Sequence, residues 1–143
     1  MTHYTLLEEL YRSAPVNRAL ELDIKINDGE ALITQQVAPE QCHSMGAMHG
    51  SYAFKCLDDA CFFAAQSLEL EYFMLTTDYH IRFLRPVTPQ ASYVQAIGRV
   101  INRSKRLVIC EGVLIDSQGR EIARGTGSFM RSAMRLSDYA SEP

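Results

Sequence analysis

One segment limits what this chain can fold into more than any other. Residues 50–68, "GSYAFKCLDDACFFAAQSL", contain no proline and no glycine after the first position, and they are apolar almost throughout. With the helix breakers absent, the segment predicts one long helix. Tyr52, Ala53, Phe54, Leu57, Ala60 and Phe63 fall on nearly every side of it. A helix apolar nearly all round is a buried helix. Yet Asp58 and Asp59 stand in its middle, and burying a carboxylate is expensive unless it is paired or hydrogen-bonded.

The rest of the chain reads mostly as strand. Leu6, Leu7, Leu10 and Tyr11 recur at helical spacing ahead of Pro15, so residues 1–14 predict a short amphipathic helix. "ALELDIKIND" alternates as a half-buried strand, "NDG" is a turn, and "EALITQQVAP" is the returning strand. Residues 39–48 have loop composition. After the long helix, "FMLTTDYHIRFL" sets Thr77, Tyr79, Ile81 and Phe83 against Asp78, His80 and Arg82. "SYVQAIGRVIN", "RLVICEGVLID" and "EIARGTGSFMR" follow, with "NRSKR" and "DSQGR" as their hairpin turns. This order predicts an α+β fold, with an antiparallel sheet wrapped on one central helix. One open sheet leaves much of such a helix uncovered, and a second copy of the chain is the simplest cover. Residues 1–143 read as one domain, with a loosely held tail over 133–143.

Composition removes several classes. The net charge of −3 gives no bulk attraction to nucleic acid or membrane. No apolar run of transmembrane length occurs. Glu8, Glu9 and Arg12 interrupt the N-terminus, so it is not expected to be a signal peptide. Cys42, Cys56, Cys61 and Cys110 form no C-x-x-C pair and no zinc spacing. They read as reduced thiols in a cytoplasmic protein, and no metal site is expected.

The two aspartates have two readings. Lys55 stands three residues before Asp58 and four before Asp59, so either can pair with it on a solvated edge. Alternatively, successive helix positions point about 100° apart. Asp59 then pairs with Lys55, a contact worth about 0.5 kcal/mol or less, while Asp58 faces a cleft as a base or nucleophile. "MHG" lies at the helix start, where the first backbone N–H groups have no internal partner and favour an anionic oxygen. Gly50 lets a substrate approach the backbone. His49 beside it either orients a ligand or water, or serves as a local hydrogen-bonding residue. An oxyanion-accepting helix end with an acid two turns further on suits acyl transfer.

"GAMHGSYAFKCLDDA" resembles the signature of the hot-dog-fold acyl-CoA thioesterases, in the phenylacetyl-CoA thioesterase-like (PaaI-type) group. That signature has an Asn, a His-Gly-Gly turn, and an acid nine residues after the His, which here is Asp58. "LTTDYHIRFLRPV" is similar to the family's second signature, a strand carrying a hydroxyl residue, an Asp, an aromatic and "RPV". The resemblance implies hydrolysis of an acyl-CoA by water, with no metal or redox cofactor. Gly50 matches the glycine whose N–H polarises the thioester carbonyl, Asp58 the catalytic acid, and His49 the histidine beside the oxyanion site. Thr76 matches the hydroxyl that positions the water or the acid. It also implies a homodimer or dimer of dimers, with the His-Gly turn from one chain and the acid and hydroxyl from the other.

Two positions depart from the pattern. The family's Asn is His43, which is bulkier. The second glycine is Ser51, small enough for a helix start. The turn "NRSKR" supplies Arg103, Lys105 and Arg106, either a solvated hairpin or a seat for the coenzyme A phosphates. Arg82 and Arg85 are weaker candidates for that seat. The rival functions are a hydratase or dehydratase of acyl thioesters on the same fold, and an acyl-CoA-binding protein without catalysis.

Overall fold

The computed structural model describes residues 1–140. The chain runs α1 (His3–Ser13), β1 (Leu22–Asn27), β2 (Glu30–Gln36), α2 (Gly50–Gln66), β3 (Tyr72–Phe83), β4 (Tyr93–Arg103), β5 (Leu107–Asp116), β6 (Glu121–Arg135) and α3 (Ser137–Ala140). The six strands form one antiparallel sheet in the order β1-β2-β4-β5-β6-β3. α2 packs on β2, β3, β4, β5 and β6, giving the α+β hot-dog arrangement.

α2 is buried on one face rather than all round. Ala53, Cys56, Leu57, Ala60, Cys61 and Ala64 are almost inaccessible and follow the i, i+3, i+4 stripe of a helix lying on a surface. Small residues on this stripe let the helix sit close to the sheet. The closest approach is at Gly98 of β4, where a Cβ would stand 2.5 Å from the Ala60 carbonyl carbon and oxygen. Phe54 stays 39% exposed, and Phe62 and Phe63 are half-buried. A sheet from one chain covers one side of a helix, and that geometry overrides the all-round apolar pattern.

The two edges of the sheet are treated differently. α1 seals the β1 edge. The Glu8 carboxylate accepts from the Ile26 N–H at 2.8 Å. Arg12 donates to the Ile24 carbonyl at 3.1 Å and pairs with Asp23 at 2.8 Å. Among the described residues, the outer edge of β3 has no strand beside it, and Leu75 and Phe83 along it are 46% and 59% exposed. A long open edge of this kind is a template for pairing with another chain.

Gln66, wholly buried at the end of α2, fixes where β3 starts. Its side-chain amide donates to the Glu69 and Tyr72 carbonyls at 3.1 and 2.9 Å and accepts from the Met74 N–H at 2.8 Å. The tail is held further than its polar composition suggests. β6 pairs with β3 as far as Arg135, the Leu136 N–H donates to the Glu71 carbonyl at 2.9 Å, and Leu136 is buried. Backbone pairing and one apolar anchor correct the expectation of a loose tail for residues 133–136; residues 141–143 lie outside the described residues. Among the described residues, no helix is long and apolar enough to cross a membrane.

Candidate active site

The turn before α2 is braced by backbone bonds. The Met48 N–H donates to the Val87 carbonyl and the His49 N–H to the Gln41 carbonyl, both at 2.8 Å. His49 is the N-cap of α2: its Nδ1 accepts from the Ser51 N–H at 3.0 Å and lies 2.8 Å from the Ser51 hydroxyl. Ser51, a departure from the family glycine, therefore helps hold the His49 ring. Since Nδ1 accepts, the neutral ring carries its proton on Nε2. His43 is locked in the same sense, its Nδ1 accepting from the Met45 N–H at 3.1 Å.

Gly50 is the first residue of α2, and its N–H has no hydrogen-bond partner among the described residues. Gly50 lines a cavity of ≈ 390 Å³ together with His43, Ala53, Phe83, Arg85 and Val87. A free N–H at a helix N-terminus, inside a cavity walled mostly by apolar groups, is suited to a developing negative oxygen. The Phe83 ring covers this glycine, with ring carbons 3.0 and 3.1 Å from where a Cβ would lie. Arg85 thus belongs to this cavity, whereas the sequence suggested it only weakly and for phosphate.

Asp58 and Thr76 meet elsewhere. The Thr76 hydroxyl donates to Asp58 Oδ1 at 2.9 Å. Both line a second, largely apolar cavity of ≈ 350 Å³. Burial pushes the Asp58 carboxyl above its ordinary pKa; the Thr76 bond opposes this, Asp59 adds to it and Lys55 opposes it. Thr76 reaches Asp58 because β3 bulges. Thr76 pairs with Phe129 and Asp78 with Ser128, leaving Thr77 as the extra residue, its hydroxyl on the Ser128 carbonyl at 3.1 Å. The bulge puts Thr76 on the same inward face as Tyr79. Strict alternation would have put Thr77 there instead.

Asp59 lines the same cavity but is engaged in a different hydrogen-bonded cluster. Its Oδ2 accepts from the Tyr11 hydroxyl at 2.8 Å and from Lys55 at 2.7 Å. Lys55 also donates to Asn17 Oδ1 at 2.6 Å, and Asn17 donates to the Tyr11 carbonyl at 2.8 Å. The side chains of Lys55 and Asp59 are only 19% and 22% exposed. This joins α1 to α2 and corrects the expectation of a minor helical pair. Asp59→Asn should cost about 1–3 kcal/mol, because it loosens two charge-assisted bonds in a shielded site; urea unfolding of the variant measures it.

Eight residues of helix, about 12 Å, separate Gly50 from Asp58. One chain therefore carries two half-sites facing different cavities: Gly50 with His43, and Asp58 with Thr76. The basic hairpin does not act as one cluster either. Arg103 donates to the Leu68 carbonyl at 3.1 Å and lines a cavity with Asp28 and Ser67. Arg106 lines another with Tyr72, Arg131 and Arg135, while Lys105 is exposed at the tip. The guanidinium groups of Arg131 and Arg135 stand 5.2 and 5.5 Å from the Tyr72 ring centre. Sequence separation hid this grouping; the β3–β6 pairing brings Tyr72 to Arg131 and Arg135, and the β5–β6 pairing brings Arg106 beside them.

The thioesterase superfamily model matches residues 45–123, more than half of the chain, a span that contains Gly50, Asp58 and Thr76. The chain belongs to the thioesterase superfamily. Solved structures agree on the fold. The PaaI protein of the Escherichia coli phenylacetic acid degradation operon superposes with a TM-score of 0.82 at 21% identity, covering 93% of this chain and 96% of that one. A mutant of the phenylacetic acid degradation protein PaaI from Thermus thermophilus gives 0.73 at 21%, covering 82% and 99%. The smu.793 protein of Streptococcus mutans, solved bound to acetyl CoA, gives 0.72 at 17%, covering 80% and 91%. No curated protein matches the sequence significantly.

Proposed function

We propose that this thioesterase-superfamily protein hydrolyses an acyl-CoA thioester to a free acid and coenzyme A. Its smallest active unit is a dimer, in which Gly50 and His43 of one copy face Asp58 and Thr76 of the other. The observation that carries the reading is the split itself. The unpartnered Gly50 N–H and the half-buried Asp58 are complementary halves of an acyl-transfer site, and they line different cavities of one chain. The open β3 edge offers a second copy a place to pair. An acetyl-CoA-bound structural neighbour supports a coenzyme A thioester as substrate.

In this reading, the Gly50 N–H holds the carbonyl oxygen as it gains negative charge. Asp58, its geometry set by Thr76, takes a proton from water while the water oxygen attacks the carbonyl carbon. The tetrahedral intermediate then collapses, the C–S bond breaks, and the coenzyme A thiolate leaves to be protonated. The same carboxylate can instead attack first, giving a mixed anhydride that water cleaves; a burst of thiol release marks that route. The unpaired thiols suit a reducing compartment, which supports a cytoplasmic location. A thiol-release assay across short, long and aromatic acyl-CoAs, run beside sedimentation, tests the proposal. Turnover by a dimer is expected. Acyl-CoA binding without turnover would turn the reading toward a sensor, proton exchange without thiol release toward a hydratase, and an active monomer against the shared site.

Coenzyme A carries phosphates; Arg106, which lines a cavity with Arg131 and Arg135, and Lys105, exposed at the hairpin tip, are the cations that would meet them. Neutralising Lys105 and Arg106 together should raise KM several-fold, leave kcat near its original value and flatten the salt dependence of KM. Arg103→Ala should change KM less, because that guanidinium is already engaged by Leu68. Kinetics at two ionic strengths decide between this and a merely solvated turn.

A further inference from the structure

The cavity beside Asp58 has a wall that the superfamily match does not include. α1 lies outside residues 45–123, yet Leu7, Leu10, Tyr11 and Ala14 line this cavity opposite Phe62, Phe63 and Phe73. Its lining is mostly apolar, and Asp58 and Thr76 contribute their hydrogen-bonded pair to it. A largely apolar chamber that also presents the proposed acid has the layout of a pocket for the apolar tail of a reacting group.

We propose that α1 is a specificity-determining element: the cavity between α1, α2 and β3 receives the apolar tail of the acyl group, and α1 limits its length. This rests on Asp58 being the acid of the proposed hydrolysis. The wall is fixed from three directions. Tyr11 and Asn17 are tied to Lys55 and Asp59, Glu8 to the Ile26 N–H, and Arg12 to Asp23. The aromatic side of the chamber is tiled edge to face, with ring centres 5.1 Å apart for Tyr11 and Phe63 and 5.0 Å for Phe62 and Phe63. Rings in such contacts resist displacement. The chamber of ≈ 350 Å³ is bounded on this side by α1, so α1 sets how far an acyl tail can extend.

The test is the ratio of kcat/KM for octanoyl-CoA to that for acetyl-CoA, with palmitoyl-CoA as the long probe. Ala14, half-buried at the end of α1, is changed by Ala14→Phe to fill the chamber; Leu10→Ala enlarges it. Ala14→Phe should lower the octanoyl-to-acetyl ratio by about tenfold or more, the scale on which pockets discriminate apolar groups. Leu10→Ala should raise palmitoyl turnover relative to octanoyl. Melting curves establish that both variants fold. Non-hydrolysable S-octyl and S-ethyl thioethers of coenzyme A, titrated calorimetrically, read the same preference without turnover. If the wild type hydrolyses none of the esters yet prefers the octyl thioether and loses that preference in Ala14→Phe, the hydrolytic reading falls and the pocket stands. If both folded variants keep the wild-type ratios and thioether preferences, the pocket is overturned. A shift confined to the dimer dissociation constant would assign the cavity to a second copy and equally overturn it.

Discussion

Asp58→Asn should lower kcat by roughly 10²–10⁴, the range that general-base catalysis supplies, while Asp59→Asn should leave kcat near its original value and lose stability instead. The contrast follows from where adjacent side chains point. Asp58 opens on a cavity and accepts from Thr76, whereas Asp59 is consumed by Tyr11 and Lys55. Stability should move the opposite way at Asp58. Its carboxyl is held above the ordinary value, chiefly by burial. The folded state therefore keeps that proton to higher pH than the unfolded chain does. The cost to the fold appears as pH rises past the unfolded value of about 3.9 and is complete above the folded one. Asp58→Asn removes this cost, so its Tm should exceed that of the wild type at pH 7 and match it below about pH 3. The acid limb of the wild-type kcat/KM profile should lie above the range of a free Asp for the same reason. Side-by-side kinetics and melting on one substrate check all of this. A dead Asp59→Asn with an active Asp58→Asn would reverse the assignment.

Gly50→Pro should reduce kcat by about 10²–10³, the effect of deleting one oxyanion donor, without unfolding α2. Proline is accommodated at the first position of a helix, where the missing N–H bonds to nothing in the helix. The residue before it already has the backbone that proline requires, since His49 sits at φ −62°, ψ 139°. Gly50→Ala is the control. It adds a Cβ against the Phe83 ring, which is exposed enough to swing, but it keeps the N–H. The gap in kcat between the two variants isolates the donor, and circular dichroism shows whether the helix survives. Equal losses in Pro and Ala would mean that the Gly50 N–H does not hold the oxyanion.

Local chemistry made much of this protein readable from its residues. The Pro- and Gly-free run defined α2, alternation defined the strands, and their order implied a sheet around one helix. The same spacing offered Lys55 to either aspartate, three residues from Asp58 and four from Asp59, and the structure pairs it with Asp59. The resemblance of the "MHG" turn and the "TTD" strand pointed to Gly50 and Thr76, but periodicity alone would have turned Thr76 outward. Only the tertiary structure decided what depends on residues far apart in the chain. The bulge at Thr77 exists because β3 must register against β6, and it is what aims Thr76 at Asp58. The one-sided burial of α2 comes from how much helix a single sheet can cover. The grouping of Arg106 with Arg131 and Arg135, and the closure of the Asp58 cavity by α1, come from contacts between residues far apart in sequence. Sequence patterns report each residue's near neighbours along a helix or strand; which elements then share a cavity is settled by how those elements pack.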